Sequence, residues 1–124
     1  PVWEYLTSAG QVARALNEVR VSPHCMVGHT HQPSAYVVHQ DGRVSTQCIH
    51  DGSVVQLDDD RLLLNPGAVG QPRDGDPRAA YAIYDDSTRT VSFHRTAYDV
   101  ARVSEQIRIK GLPESLAKRL HLGY

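Results

Sequence analysis

The sequence predicts an α/β protein in which helices are layered against β-sheet. Three observations carry this: helical periodicity near the start, a central run of short strands punctuated by Asp, Gly and Pro, and a return to helical spacing after residue 99. That order fits helix packed on sheet, and fits neither a helical bundle nor an all-β barrel.

Leu6, Ala9, Val12, Ala13, Leu16 and Val19 recur at helical spacing and predict an amphipathic helix over about Val2 to Arg20, covering one face of a sheet. Pro23 ends the connection. Cys25-Met26-Val27 reads as a short buried strand, after which Gly28 would let the backbone turn sharply and approach a ligand. Ala35 to His39 and Val44 to Ile49 read as two strands joined around Asp41-Gly42, a hairpin signal. Val54 to Leu57 and Arg61 to Asn65 flank Asp58-Asp59-Asp60, which reads as a solvated turn rather than a cation site. Ala79 to Tyr84 and Thr90 to His94 form a further pair of strands around Asp85-Asp86-Ser87-Thr88. Val100, Val103 and Ile107 predict a helix from about Asp99 to Lys110, stopped by Gly111, and Pro113 starts a last short helix with Leu116 and Leu120 inward.

At 124 residues the chain is compatible with one domain. A net charge of −1 and a pI near 6.8 offer no basic surface for nucleic acid and no polybasic stretch for a membrane. No apolar run approaches the roughly 18 residues of a transmembrane helix, and no signal-peptide pattern is visible. Cys25 and Cys48 have no framework spacing, which points to a reducing compartment and a cytoplasmic location. Cys25 reads as a buried thiol. Cys48 lies on a polar strand with no obvious base beside it, so structural roles are expected for both.

The chemistry of the chain is concentrated in Gly28-His29-Thr30-His31, at the end of an apolar run, and in Asn65-Pro66-Gly67-Ala68-Val69-Gly70-Gln71-Pro72-Arg73. Alternate residues of an extended segment project to one side, so His29 and His31 can aim both imidazoles at one small volume. Imidazole suits Zn, Mn, Fe, Ni or Co. Three other settings for His-x-His fit poorly. A cupin-type site wants a carboxylate soon after the second His, where Gln32-Pro33-Ser34-Ala35 has none. An amidohydrolase barrel needs more βα repeats than this length allows, and a structural zinc site needs four closely spaced ligands.

With both motifs in this order, the chain resembles the calcineurin-like metallophosphoesterase superfamily, most closely its small bacterial and archaeal phosphodiesterase branch. Supporting likeness runs through Trp3-Glu4-Tyr5-Leu6, Gln32-Pro33, Ala80-Tyr81-Ala82-Ile83, Arg95-Thr96-Ala97-Tyr98-Asp99 and Gly111-Leu112-Pro113. The resemblance implies a four-layer α/β/β/α sandwich with metals at the carboxyl ends of its central strands. Residues 1-124 would be the C-terminal portion of a single such domain. His29 would ligate one ion and His31 the other, the two divalent ions being drawn from Mn, Fe, Ni, Co, Zn or Mg. The family's other ligands, an Asp-x-His, a Gly-Asp, a Gly-Asn-His and one more His, are not in this sequence and are expected upstream.

The implied activity is hydrolysis of a small-molecule phosphodiester or phosphomonoester by a water that the dinuclear centre activates. No residue is implied as a covalent catalyst. The alternative is a non-catalytic scaffold or regulatory protein that keeps the fold without a complete metal site. In the second motif Gly67 and Gly70 would permit close backbone approach beneath the histidine loop. Arg73 would either contact a phosphate oxygen or pair with Asp74 or Asp76. Asp74-Gly75-Asp76 reads as a surface turn. His24 is near enough in sequence for a supporting contact; His39 and His50 are assigned to exposed strand positions, His94 to the final strand and His121 to a helix end. Half of a two-sheet sandwich would leave a sheet face and a strand edge uncovered, so upstream polypeptide or another copy of the chain is the expected partner.

Overall fold

A computed structural model of the chain describes residues 4–19 and 21–124. Among these, the chain runs α1 (Ala9–Glu18), β1 (His24–Met26), β2 (Ser34–Val38), β3 (Val44–Gln47), β4 (Val54–Gln56), β5 (Arg61–Asn65), β6 (Ala79–Asp85), β7 (Thr90–Thr96), α2 (Val100–Ile109) and α3 (Glu114–Leu122). The strands form two sheets, one in the order β1-β5-β2-β3 and the other in the order β4-β7-β6. β1 and β5 are parallel and every other pairing is antiparallel.

The first helix is shorter than its periodicity suggested. Ser8 caps it, its Oγ accepting from Gln11 N at 3.4 Å while Gln11 Oε1 accepts from Ser8 N at 3.1 Å. That reciprocal cap satisfies two N-terminal donors and fixes the start at Ala9, leaving Glu4 to Thr7 as an ordered lead-in. Pro1, Val2, Trp3 and Arg20 lie outside the described residues. At the other end, Arg61 caps the last turn, donating to Leu16 O, which also accepts from Val19 N, and to Val19 O, the latter at 2.8 Å.

β5 carries Leu62, Leu63 and Leu64, each no more than 2% exposed. Because side chains alternate along a strand, Leu62 and Leu64 enter one core and Leu63 the other. The first core lies between the sheets, where they meet Ala35, Val37, Val55, Leu57, Val91 and Phe93. The second lies under α1, where Leu63 meets Val12 and Leu16, with Leu6 and Cys25 packed around them. Helix, sheet and sheet are thereby stacked as three layers, with Val54, Tyr81 and Ile83 exposed on the second sheet.

β4 and β5 are close in sequence yet belong to different sheets. The Asp58-Asp59-Asp60 turn therefore carries the chain across the sandwich rather than closing a hairpin. α2 and α3 form a helical hairpin in which Asp99 accepts from Arg102 N at 2.9 Å and buried Ser104 donates to Ala117 O at 3.1 Å. Gly123, left-handed at φ 71°, accepts from Gly75 N at 2.9 Å and lies hard against the Asp76 backbone, clasping the loop that follows the second motif. Among the described residues no helix is long and apolar enough to cross a membrane.

Candidate metal centre

The parallel pairing of β1 with β5 brings their carboxyl ends together, Met26 opposite Leu64, and Val27 N extends the ladder to Leu64 O at 2.8 Å. The segments that follow, Gly28 to His31 and Asn65 onward, therefore leave the same edge of the sheet. Carboxyl ends of parallel strands are where open α/β sheets bind ligands.

The histidine loop is not the extended segment that its spacing suggested. His29 and His31 have φ of 75° and 61°, in the left-handed region, and Thr30 N reaches back to Gly28 O at 3.0 Å to close a γ-turn centred on His29. The reversal thus falls on His29 rather than on Gly28, whose φ is not positive. Two non-glycine residues in this region within one short loop cost about 1–3 kcal/mol each, and persist only where the surroundings over-determine them.

Asn65 supplies much of that determination. It is 1% exposed, its Nδ2 donates to Gly28 O at 3.0 Å and to Thr30 Oγ1 at 2.8 Å, and its Oδ1 accepts from Gly67 N at 2.9 Å. Gly67, at φ 92°, passes so close to Pro33 and Ala80 that an added Cβ would lie 2.8 Å from a carbon of each. Gly70 is under no such constraint: its φ is not positive and an added Cβ would meet open space. Close approach is thus a property of one of the two expected glycines.

The imidazoles are oriented differently. His31 Nδ1 lies 2.8 Å from the Gln71 carbonyl, which can only accept, so the neutral ring carries its proton there and leaves Nε2 as a bare donor. Arg73 N donates to His31 O at 3.1 Å, and Gln32 Nε2 to Arg73 O at 2.7 Å, lacing the two loops together. His29 is exposed, and its ring stacks on Tyr5 with centroids 4.0 Å apart and planes 13° apart.

Arg73 pairs with neither neighbouring aspartate. Its Nη2 donates to Gln71 Oε1 at 2.9 Å, and its buried Nε has no hydrogen-bond partner among the described residues. Asp74 pairs with Arg95, and Asp76 with Arg78 at 2.7 Å and Arg95 at 4.0 Å. Arg95, whose side chain is 7% exposed, also donates to Arg78 O at 3.1 Å, so the loop after Arg73 is fastened to the β6–β7 hairpin. Hydrogen bonds from Arg78 hold the Asp76 carboxyl below its ordinary range, and the Arg95 backbone N–H together with Arg78 does the same for Asp51.

The remaining histidines lie elsewhere. His24 sits at the start of β1, opposite Leu62 and away from the loop. Both its ring nitrogens are buried with no hydrogen-bond partner among the described residues, and burial, reinforced by Arg89 and opposed by Asp58, pushes its pKa down. A supporting role for it at the histidine loop is therefore not what the structure gives. His39 bonds Asp60 at 3.1 Å and Ser45 at 2.9 Å, so it is half-buried rather than exposed. His121 meets Ser104 Oγ at 3.0 Å. Cys48 does have a base beside it, His50 Nε2 at 3.1 Å from Sγ, because β3 ends at Gln47, ahead of both residues, and the irregular segment that follows folds the ring back.

His29 and His31 fit a divalent ion as neutral nitrogen donors: His31 has one nitrogen occupied and the other free, and the exposed His29 ring makes no hydrogen bond among the described residues. Among the described residues no group of three or more His, Cys, Asp or Glu side chains is arranged to hold a metal ion. The two rings are thus a partial donor set.

Comparison with known proteins agrees with this architecture. The chain is similar to a metallophosphoesterase from Sphaerobacter thermophilus, at 42% identity and a TM-score of 0.86, over 98% of this chain and 51% of that one. It is 39% identical over 97 residues to an uncharacterized protein of Methanocaldococcus jannaschii, covering 78% of this chain and 38% of the relative. A hypothetical protein of Pyrococcus horikoshii OT3 shares the fold, with a TM-score of 0.66 at 19% identity, over 96% of this chain and 39% of that one. No family model matches. The chain has the mixed α/β fold of part of a metallophosphoesterase, and spans about half of the Sphaerobacter thermophilus protein and less of the other two. It is related to the metallophosphoesterases of the calcineurin-like type.

Proposed function

We propose that the whole protein is a metal-dependent phosphoester hydrolase, and that residues 1–124 are the C-terminal portion of a single metallophosphoesterase domain. The observation that carries this reading is the strained His29–His31 loop, pinned by Asn65 at the carboxyl ends of two parallel strands. When bound, two divalent ions supply an activated water and neutralise charge on the phosphoryl oxygens. His29 would hold one ion and His31, through Nε2, the other. The Gln71 carbonyl keeps the His31 ring in the tautomer that leaves Nε2 free. Arg73, whose Nε has no partner among the described residues, would turn its guanidinium to a phosphate oxygen of the substrate.

The other ligands would come from upstream polypeptide, for which the free edge of β1 offers a pairing surface, since among the described residues β1 pairs with β5 alone. A small-molecule phosphodiester or phosphomonoester is the proposed substrate. Two thiols with no disulfide between them accord with a cytoplasmic location. The test is hydrolysis of an aryl phosphodiester and an aryl phosphomonoester by the full-length protein with Mn, Ni, Co or Mg. Metal-dependent turnover that disappears on replacing either histidine is the expected result. A full-length protein that binds no divalent ion and hydrolyses neither ester would make the non-catalytic scaffold the better reading.

A further inference from the structure

The two histidines of the loop are held by unlike means. A hydrogen bond to Gln71 O orients the His31 ring, whereas the His29 ring, exposed and without a hydrogen bond among the described residues, is met face-on by Tyr5. We infer that Tyr5 is a positioning residue for His29, backing its imidazole so that the ring edge with its two nitrogens stays directed into the metal centre. This rests on the metal-binding reading above.

The geometry suits the task. A metal ion is bound by lone pairs in the ring plane, while stacking uses the ring face, so near-parallel rings 4.0 Å apart leave both nitrogens available. Ligation drains electron density from the imidazole, and a phenol face beneath it offsets the added positive character, as in a cation–π contact. Tyr5 remains 45% exposed, so burial of the phenol does not account for the pairing.

Tyr5 is also on a segment that is itself held. Glu4 accepts from Gln11 Nε2 at 3.0 Å and pairs with Arg14 at 3.5 Å, and Gln11 Oε1 accepts from Thr7 N at 3.2 Å and Ser8 N at 3.1 Å. Gln11 belongs to α1, which Val12 and Leu16, both 0% exposed, seat on the sheet. The cap of α1 thus carries Tyr5 to the His29 ring.

The experiment measures Mn affinity by calorimetry in the full-length protein bearing Tyr5→Phe, Tyr5→Leu or His29→Ala. An aromatic pair of this kind is worth a change of about 2- to 10-fold, so Tyr5→Leu should weaken one of the two ions by that factor and Tyr5→Phe should match wild type. In the metal-free wild type, proton resonances of the His29 ring, assigned by their loss in His29→Ala, should be shifted upfield by the Tyr5 ring current. Unchanged affinity in Tyr5→Leu alongside weakened binding in His29→Ala would overturn the inference and leave the metal reading standing. Equal losses in Tyr5→Phe and Tyr5→Leu would assign the effect to the hydroxyl and also overturn it. Wild-type Mn affinity in His29→Ala would sink both together. Should Tyr5→Leu fail to fold, the absence of an upfield shift in the wild type still decides against the stack.

Discussion

His31 Nδ1 and the carbonyl oxygen of Gln71, 40 residues apart in sequence, lie 2.8 Å from one another. Through this contact the second motif sets the proton position on a ring of the first, and so decides which nitrogen is left to bind. A backbone carbonyl cannot be removed by a side-chain substitution, so the tautomer is secured by the fold itself.

Replacing either ring should abolish catalysis without unfolding the protein. His29→Ala and His31→Ala in the full-length protein are each expected to lower turnover by more than the roughly 100-fold upper range of a supporting-contact change. Because both residues have positive φ, His29→Gly and His31→Gly should lose activity equally yet melt above the corresponding alanine variants. Near wild-type turnover in any of these variants at saturating metal would show that the residue is no ligand.

Asn65→Asp keeps the size of the side chain but replaces a two-hydrogen donor by a carboxylate facing Gly28 O and Thr30 Oγ1. The Thr30 hydroxyl can turn to donate to the carboxylate, but the Gly28 carbonyl is left facing a like-charged oxygen in a buried position, which should destabilise the protein by about 1–3 kcal/mol, read from urea unfolding. Metal affinity should fall in parallel, because the left-handed loop loses its tether. Wild-type stability would mean that Asn65 does not hold the loop.

Gly67 and Gly70 make a paired test. Gly67→Ala places a Cβ against Pro33 and Ala80 and strains a backbone at φ 92°, so it should cost at least about 1–3 kcal/mol, and Gly67→Val should give poor soluble yield. Gly70→Ala, facing open space, should be near neutral. Comparable denaturation midpoints for Gly67→Ala and Gly70→Ala would show that the turn is not tightly packed.

His24 predicts a pH dependence. Its depressed pKa means that the folded state favours the neutral ring, so its stabilising share is complete above the unfolded value of about 6.5. That share is lost as pH falls from there through the lower folded pKa. The melting temperature should therefore drop between pH 7 and pH 5, and His24→Leu should flatten that drop. An equally steep decline in the variant would assign the dependence to other groups.

Much of the fold can be read from hydrophobic period and turn chemistry. Leu62, Leu63 and Leu64 mark β5, Asp41-Gly42 marks the β2–β3 hairpin, and Asp99 and Gly111 bracket α2. The assignment of strands to sheets was not legible, because Asp58-Asp59-Asp60 serves equally for a hairpin and for a crossing between sheets. The site was legible as two motifs and opaque in its mechanics. Histidine carries no mark of left-handed backbone, so spacing suggested an extended pair where the chain forms a γ-turn. The inward role of Asn65, the stack of Tyr5 on His29 and the His50 ring at Cys48 each depend on contacts that periodicity does not encode. The sharp turn expected at Gly28 is made at His29; glycine is the residue that takes positive φ at least cost, and sequence alone gives histidine no such mark.

β5 faces a core on each side and ends in Asn65, the tether of the histidine loop. Melting either the helix layer or the inter-sheet layer withdraws support from the same strand, so the loop has no independent route to collapse. Heat inactivation and global unfolding should therefore coincide, and hydrogen exchange at the Val27 amide, which bonds to Leu64 O, should proceed through whole-molecule opening rather than local fraying.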